Sequence, residues 1–264
     1  MKIEFGGMRA LVTGSTRGIG KAIASSLAAS GACVVVHGRK QGDAARAGEE
    51  LHSWYPEVEV DSVFGDLATA EGCATVLAEC PDVDILVHNA GIYEWLQFFE
   101  TRDDQWLQML QTNLLSGVRL ARHYLRRMLD NGWGRIVFIA SDSAVNIPVD
   151  MIHYGVSKGA ELALTRGLAE LTAGTQVTVN AVLPGPTRTG TEGRFFDDYA
   201  SRTGVARDQA ERHFVLGARP SSLLQRMAAA DEVASMVTYI CSRQASATNG
   251  AALRVEGGIL RHIG

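Results

Sequence analysis

Seven short runs of β-branched and aliphatic residues alternate with longer stretches of helical spacing, and this alternation constrains the fold more than any other feature. The runs are MRALVT, ACVVVH, VEVDSV, DILVHNA, RIVFIAS, QVTVNAVLP and AALRVE. Strands joined by helices pair in parallel, and runs that are apolar at consecutive positions, such as residues 34–36 and 136–139, suit strands covered on both faces. The pattern predicts a doubly wound α/β fold with a mostly parallel seven-stranded sheet.

The chain is long enough for one sizeable domain and has no obvious internal boundary. Of its 264 residues 46% are hydrophobic and 20% are charged, and no repeat or low-complexity tract interrupts the pattern. The longest irregular stretch extends from about residue 184 to residue 224, and such stretches often form lids or binding loops. We therefore predict a single domain over residues 1–264, with residues of about 186–224 covering the substrate.

Charge and composition exclude several classes of partner. With 25 Lys and Arg against 29 Asp and Glu, the net charge of −4 gives no basic surface for nucleic acid. No apolar run approaches the roughly 20 residues that span a bilayer, and the first residues lack a signal-peptide pattern, which predicts a cytoplasmic protein that does not bind membranes. The histidines and cysteines have no metal-ligand spacing, so we expect no metal and reduced, packed thiols at Cys33, Cys73, Cys80 and Cys241.

A glycine-rich segment, TGSTRGIG at residues 13–20, follows the first predicted strand and opens a helical pattern. Glycines permit a tight turn and a close approach of the backbone, so that N–H groups at the helix N-terminus can bind a pyrophosphate. The spacing is GxxxGxG and differs from the common GxGxxG fingerprint, and a tight connection without a ligand is the alternative. Its position in the first crossover of a doubly wound sheet favours a dinucleotide.

The residues after the second predicted strand bear on which dinucleotide binds. An acidic residue there would bind the ribose hydroxyls of NAD, but the sequence is Gly38-Arg39-Lys40 and the first acid is Asp43. Arg39 and Arg17 offer planar, permanently charged groups that suit the 2′-phosphate of NADP. We therefore favour NADP(H), with NAD(H) as the alternative cofactor, although a single arginine is also typical of an ordinary surface.

Tyr154 and Lys158 lie four residues apart at the start of a long helical pattern, which places them on one face of a helix. A phenol with a pKa of about 10 transfers protons poorly at neutral pH, but a neighbouring ammonium stabilises the phenolate and lowers this pKa. The pair is therefore a candidate acid and base. An exposed helix face without a catalytic role is the alternative.

Taken in order, TGSTRGIG, HNAG, an Asn, a Ser, YGVSK and LPGPTRT resemble the motifs of the classical short-chain dehydrogenase/reductase family over residues 8 to about 258. The resemblance implies a Rossmann-type fold and hydride transfer between a nicotinamide and a carbonyl or alcohol carbon. It implies a catalytic tetrad in which Ser141 hydrogen-bonds the substrate oxygen and Tyr154 gives or takes the proton. Lys158 would tune Tyr154 and hold the nicotinamide ribose, and Asn113 would anchor a water of the proton relay.

The resemblance also implies cofactor contacts along the whole chain. The glycine-rich segment would bind the pyrophosphate, FGDLA the adenine, the NAG tripeptide the ribose side, and PGPTRT the nicotinamide carboxamide. The implied cofactor residues are Gly14, Ser15, Thr16, Arg17, Gly18, Ile19, Gly20, Arg39, Asp66, Leu67, Asn89, Ala90, Gly91, Tyr154, Lys158, Pro184, Gly185, Thr187 and Thr189.

Two positions depart from the family pattern, and one role has two candidates. His88 stands where Asn is common before NAG, and Ala144 stands where Gly often follows the serine, so we expect local differences in loop geometry. Ser143 is a second candidate for the serine role because SDS would place two hydroxyls on one face of a strand. His153 is predicted to line the pocket rim or to pack.

We predict an NADP(H)-dependent oxidoreductase that acts on a largely apolar carbonyl or alcohol compound; the family resemblance implies a homodimer or homotetramer. The alternatives are an NAD-linked alcohol dehydrogenase, a 3-oxoacyl thioester reductase and a noncatalytic NADP-binding sensor on the same fold. The residues that favour an apolar pocket, each of which could instead pack within a lid, are Tyr93, Trp95, Ile147, Val149, Met151, Phe195, Phe196, Tyr199 and Phe214.

Overall fold

A seven-stranded parallel sheet forms the centre of the computed structural model, which describes residues 2–190 and 192–263. The strands are β1 (Arg9–Val12), β2 (Cys33–Gly38), β3 (Val60–Phe64), β4 (Ile85–His88), β5 (Trp133–Ile139), β6 (Gln176–Pro184), a separate short pair β7 (Thr187–Arg188) and β8 (Ala228–Ala229), and β9 (Ala252–Val255). Strand order in the main sheet is β3-β2-β1-β4-β5-β6-β9, and every pair is parallel. The predicted doubly wound α/β fold is confirmed, and each predicted run corresponds to one strand of this sheet.

Helices cover both faces of the sheet. They are α1 (Gly18–Ala29), α2 (Gln41–Trp54), α3 (Ala70–Glu79), α4 (Asp103–Leu110), α5 (Ser116–Asn131), α6 (Ile152–Glu170), α7 (Gly193–Thr203), α8 (Ala210–Ala218) and α9 (Ala230–Cys241). One core cluster contains residues of α1, α2 and α9, and a second contains residues of α3, α5 and α6. The sheet is therefore the middle layer of three.

Consecutive strand residues point into opposite clusters, which explains why the strand runs are apolar without alternation. In β2, Val34 and Val36 belong to the first cluster and Val35 to the second. In β4, Val87 belongs to the first and Leu86 to the second. Parallel strands buried on both faces require this composition. Their carboxyl ends meet at one edge, where the open α/β folds bind their ligands.

The segment predicted to be irregular contains regular structure, so that prediction was wrong. We call residues 186–224 the cover segment; it contains β7, α7 and α8, and β7 pairs with β8 outside the main sheet. Phe196, Val215 and Met227 are buried in a small core of their own. The helices have only 11 and 9 residues, and they pack against each other instead of on the sheet. A pattern that short has weak periodicity in the sequence.

The cysteines are free thiols, three of them buried and Cys33 partly exposed. Burial raises the pKa of Cys73 and Cys80, and raises that of Cys241 to about 12. Within residues 2–190 and 192–263, no cluster of three or more His, Cys, Asp or Glu has a metal-holding arrangement. In the same ranges, no helix combines the length and the apolar character that a bilayer crossing requires.

Candidate active site

The glycine-rich segment turns sharply between β1 and α1. Gly14 and Gly18 have φ angles of +64° and +59°, which L side chains rarely adopt. A Cβ on Gly20 would lie 2.4 Å from the carbonyl oxygen of Gly14, so the start of α1 can pack this closely only without a side chain. The turn therefore needs glycine at three positions, and it places the N-terminus of α1 at the edge of the sheet.

His37, at the end of β2, fixes this turn and was missed as a site residue. The N–H of Gly14 donates to His37 Nδ1 at 3.0 Å, so Nε2 carries the ring proton and donates to the carbonyl of Gly65 at 3.1 Å. Burial lowers the pKa of His37 to about 4, which keeps the ring neutral near pH 7. A neutral acceptor at this position holds Gly14 in place.

The NAG tripeptide after β4 also forms hydrogen bonds with the glycine-rich turn. The amide of Asn89 donates to the carbonyls of Thr13 and Gly14 at 3.0 and 3.1 Å. The hydroxyl of Thr13 accepts the N–H groups of Asn89 and Ala90, both at 2.9 Å. The predicted cofactor residues of these two segments are therefore in direct contact.

The two arginines that favour NADP are exposed at the same edge. Arg17 directly precedes α1, and Arg39 follows the last residue of β2. A Cβ on Gly38 would lie 2.8 Å from Cγ2 of Thr16, so the end of β2 touches the glycine-rich segment. An acidic side chain at Gly38 would displace Thr16, and Arg39 is therefore the cleaner position at which to test cofactor choice.

Two further predicted cofactor segments lie at the ends of β3 and β6. Asp66 is exposed after β3, and Leu67 beside it is buried. After Pro184 ends β6, the hydroxyl of Thr187 donates to the carbonyl of Gly185 at 2.8 Å.

Thr189 brings the segment after β6 onto the glycine-rich segment. A Cβ on Gly18 would lie 3.1 Å from Cβ of Thr189. The N–H and hydroxyl of Thr189 both donate to the carboxylate of Glu192. All segments predicted to bind the cofactor thus end at one edge of the sheet.

Three members of the predicted tetrad converge at the end of β5. Ser141 follows this strand, and its hydroxyl lowers the pKa of Tyr154, which lies on α6. The ammonium of Lys158, one turn further along α6, donates to the carbonyl of Ile139 at 2.8 Å. The close approach of strand end and helix brings serine, tyrosine and lysine together.

Asn113 joins this group through a π-helical turn, Gln111–Leu115, between α4 and α5. Its Oδ1 accepts the N–H of Ile92 at 2.8 Å, and its Nδ2 donates to Oγ of Ser157 at 2.9 Å. A Cβ on Gly91 would lie 3.3 Å from Oδ1 of Asn113 and 3.5 Å from Nζ of Lys158. Single π-helical turns inside helices are frequent at functional sites.

The protonation of Tyr154 differs from the prediction. Burial of the phenol raises its pKa, and the Lys158 ammonium and the Ser141 hydrogen bond offset only part of this rise. The carboxylates of Glu161 and Asp142 raise the pKa further. The lysine acts in the predicted direction, but the net shift is upward, so Tyr154 carries its proton at neutral pH.

Ser143 does not share a strand face with Ser141, so that reasoning was wrong. β5 ends at Ile139, and Asp142–Ala144 form a 3₁₀ turn. The hydroxyl of Ser143 accepts Nη2 of Arg219 at 3.0 Å. Of these two serines, Ser141 is the one whose hydroxyl lowers the pKa of Tyr154, which favours it for the serine role.

Arg219 connects the cover segment to this turn. Its Nε donates to Oδ2 of Asp142 at 2.5 Å, and both side chains are largely buried. Oδ1 of Asp142 accepts the hydroxyl of Ser141 at 3.2 Å. A buried ion pair thus links the cover segment to the serine beside Tyr154.

Two exposed aromatic residues lie on one side of Tyr154. Its ring lies 6.4 Å from that of Tyr93, which meets Trp95 edge-on at 5.4 Å. Tyr93, Trp95, Ile147 and Val149 are exposed. The remaining predicted pocket residues are packed: Met151 is buried, and Phe195, Phe196, Tyr199 and Phe214 contact one another inside the cover segment. His153 is buried against Trp106 and does not lie on the rim.

Comparison with known proteins bears on this arrangement directly. A family model described as short chain dehydrogenase matches residues 8–200, which is well over half of the chain. The chain belongs to the short-chain dehydrogenase/reductase family. Among curated relatives, the uncharacterized oxidoreductase YvaG of Bacillus subtilis (strain 168) is 42% identical over 263 residues, covering 100% of both chains.

Two further members of the family are similar over essentially the whole chain. The 3-oxoacyl-[acyl-carrier-protein] reductase FabG of Aquifex aeolicus (strain VF5) is 32% identical, covering 98% of this chain and 100% of the relative. L-Sorbose reductase from Gluconobacter frateurii, solved with NADPH and L-sorbose, has a TM-score of 0.93 at 28% identity and 100% coverage of both chains. The protein is therefore an NAD(P)-dependent oxidoreductase of this family that acts on a carbonyl or alcohol group.

Sequence reasoning missed four residues that the tertiary structure brings to the site: His37, Asp142, Glu161 and Arg219. Glu161 had a detectable signal, because a residue three positions after Lys158 lies on the same helix face. Asp142 and Arg219 had none, since they are separated by 77 positions in the chain.

Proposed function

We propose that this enzyme is an NADP(H)-dependent reductase and dehydrogenase in which Tyr154 transfers the proton to or from the substrate oxygen. The observation that carries the proposal is the convergence of Tyr154, Ser141 and Lys158 beside a glycine-rich turn. Lys158 and Ser141 stabilise the phenolate that remains after proton donation. A noncatalytic sensor would not need this combination of an acid and two stabilising groups.

The residues present fit a dinucleotide. Gly18 faces Thr189, and Gly91 faces Lys158 and Asn113, at positions where a Cβ would intrude on the space between the segments. The N–H groups at the start of α1 would bind the pyrophosphate. Lys158 would hold the nicotinamide ribose. When bound, the nicotinamide supplies or accepts the hydride.

Side chains of the protein would position the substrate and transfer the proton. The hydroxyl of Ser141 would donate a hydrogen bond to the substrate oxygen, which polarises a carbonyl and holds it next to Tyr154. Tyr154 would give its proton to that oxygen during reduction, in keeping with its raised pKa. Asn113 would anchor a water of the proton relay that leads to Lys158.

The choice of NADP(H) rests on charge. No carboxylate follows β2 until Asp43, and the exposed Arg17 and Arg39 would bind a 2′-phosphate. L-Sorbose reductase, solved with NADPH, is consistent with this cofactor.

We propose a carbonyl or alcohol substrate with a largely apolar body, because the exposed rings of Tyr93 and Trp95 offer apolar surface beside Tyr154. A polyhydroxy ketone is the second candidate, and the similarity to L-sorbose reductase favours it. Oxidation of NADPH and NADH should be followed with aromatic ketones, 3-oxoacyl thioesters and keto sugars. Turnover with NADPH supports the proposal, and no turnover with any carbonyl compound would contradict it.

A homodimer or homotetramer also forms part of this proposal. A groove between α5 and α6 is lined by six apolar side chains and two arginines: Val118, Leu125, Leu129, Leu164, Leu168 and Leu171, with Arg122 and Arg126. Apolar surface of this kind favours self-association. Sedimentation of the wild type and of Leu168→Arg tests this, since a charge in the groove would dissociate the oligomer.

A further inference from the structure

A fully buried carboxylate lies directly behind the proposed catalytic lysine. Glu161 follows Lys158 by one turn of α6, and its Oε2 accepts the Lys158 ammonium at 3.0 Å. Its other oxygen, Oε1, lies 3.6 Å from Nδ1 of His88. Neither Oε1 nor Nδ1 has a hydrogen-bond partner among the described residues. An unpaired polar atom in such a place is costly, and here two of them face each other.

The hydrogen bonds of His88 determine which of these atoms lack a proton. The hydroxyl of Ser116 donates its one hydrogen to the carbonyl of Thr112 at 2.5 Å. Its oxygen therefore accepts Nε2–H of His88 at 2.7 Å. A neutral His88 then has a bare lone pair on Nδ1, pointing at a carboxylate oxygen. Two acceptors cannot bond to each other, so one additional proton between Nδ1 and Oε1 would satisfy both.

The surroundings fit an imidazole held in one orientation. Gly117 of α5 packs against the ring, and a Cβ there would lie 3.3 Å from Nδ1 of His88 and 2.8 Å from Phe138. The ring of Phe138 lies 5.6 Å from that of His88. The departure from the family pattern at position 88 thus places a titratable ring against Glu161, and the chain leaves space for it.

We propose that Glu161 and His88 share one proton and that Glu161 is a positioning residue for Lys158. The proposal rests on the proposed function, because Lys158 and Tyr154 carry the roles given to them there. While the pair holds its proton, it has no net charge, and Glu161 accepts a hydrogen bond from the Lys158 ammonium without offsetting the positive charge of the ammonium. Without that proton, the negative charge of Glu161 offsets the stabilisation that the Lys158 ammonium gives to the phenolate of Tyr154.

The charged and titratable groups around this cluster come from four elements. Lys158, Glu161 and Tyr154 lie on α6, His88 ends β4, and Asp142, paired with Arg219, lies in the turn after β5. His37 at the end of β2 interacts electrostatically with His88, and its lowered pKa keeps it neutral. Glu161 raises the pKa of Tyr154, in agreement with an opposing effect on the ammonium.

Glu161→Gln is the informative variant because it retains the shape of a protonated carboxyl group. Its amide can donate to Nδ1 of His88 and accept from Lys158 without an additional proton. We expect a folded enzyme that retains at least about a third of the wild-type rate. Glu161→Leu removes the acceptor and should lower kcat at least about tenfold and weaken cofactor binding, because the ammonium is no longer oriented. Glu170→Leu, at an exposed position of the same helix, is the matched control and should change neither.

The proton itself is measured without any substrate. Nitrogen-15 NMR of His88, assigned with His88→Asn, reports whether Nδ1 carries a proton, and the infrared difference between wild type and Glu161→Gln reports a protonated carboxyl group. One of the two signals is expected at pH 7. A neutral ring with a bare Nδ1 and no protonated carboxyl band would overturn the proposal, whether or not the enzyme turns over any carbonyl compound.

The coupling to the tyrosine is measured in the same way. In protein labelled with carbon-13 at tyrosine Cζ, with Tyr154→Phe to assign the signal, Glu161→Gln should leave the pKa of Tyr154 unchanged if the infrared band places the proton on Glu161. It should lower this pKa by about half a unit to one unit if the nitrogen-15 signal places the proton on His88. A raised Tyr154 pKa in folded Glu161→Gln, or a fully active Glu161→Leu, would show that the pair serves packing alone.

Discussion

The two parts of the candidate active site are built differently. The cofactor part consists of the glycine-rich turn and the ends of β2 and β4, and several hydrogen bonds between these segments hold Gly14 and Thr13 in place. The cover segment has a separate small core. At its far end, Arg219 reaches the serine turn, and the N–H groups of Leu223 and Leu224 donate to the carbonyl of Gly257.

The difference separates two properties of the enzyme. A substitution in the cofactor part disturbs backbone positions shared by several strands, whereas one in the cover segment alters a few side-chain contacts and a small core. We therefore expect cofactor binding to depend on the first part, and substrate recognition and Ser141 orientation to depend on the second.

The largest effect is expected at Tyr154, which lies on α6, outside both parts. Tyr154→Phe keeps the ring but has no proton to transfer, and a general acid or base contributes about 100 to 10,000-fold in rate. We expect kcat to fall by this factor while NADPH binding, measured by fluorescence titration, stays within about twofold. More than about a tenth of the wild-type rate in the Phe variant would contradict the assignment.

In the cofactor part, His37 should make stability depend on pH. Its pKa is lowered to about 4 in the folded protein, against about 6.5 when unfolded, so its contribution is present above pH 6.5 and is lost as the pH falls towards 4. The loss amounts to about 3 kcal/mol in the free energy of unfolding. Denaturant titrations at several pH values should give a shallower acid slope for His37→Asn than for the wild type. Equal slopes would mean that His37 is not held neutral in the folded protein.

In the cover segment, Arg219→Ala should affect the substrate and not the cofactor. The substitution leaves Asp142 buried without its partner, beside the hydroxyl of Ser141. We expect kcat/KM for the substrate to fall about tenfold or more, with NADPH affinity within about twofold. Arg212→Ala, an exposed arginine bonded to Gln225, is the control. A comparable loss of NADPH binding in Arg219→Ala would break the separation between the two parts.

The smallest effect is expected at Arg39. Arg39→Ala should weaken NADPH binding about tenfold and leave NADH binding nearly unchanged, because one charge-assisted contact to a phosphate contributes about 1.5 kcal/mol or more. Lys40→Ala, the adjacent exposed cation, is the control. Equal weakening of both cofactors would assign Arg39 to adenine stacking or to loop structure, and a wild type that binds NADH more tightly would overturn the choice of NADP(H).

Local patterns in the sequence were sufficient for the fold and for much of the site. The strand runs and the helical spacing depend on neighbours within a few positions, so β1 to β6 and β9 were predictable from the chain alone. The glycines at positions 14, 18 and 20 and the spacing of Tyr154 and Lys158 are likewise local features. The short helices of the cover segment were not predictable, because their apolar residues pack in a small core separate from the two clusters on the sheet.

Burial and pairing across the chain depended on tertiary structure. The sequence predicts that Lys158 lowers the pKa of Tyr154, but the net direction is set by how deeply the phenol is buried and by Glu161 and Asp142 nearby. The contacts of His37 with Gly14, of His88 with Glu161 and of Asp142 with Arg219 join residues 23, 73 and 77 positions apart. The sequence by itself determined the strands, the helices and the types of residue at the strand ends, because backbone conformation follows local periodicity. Only the folded chain decided which charges meet in a dry interior, since that depends on how distant segments pack and on how much water they exclude.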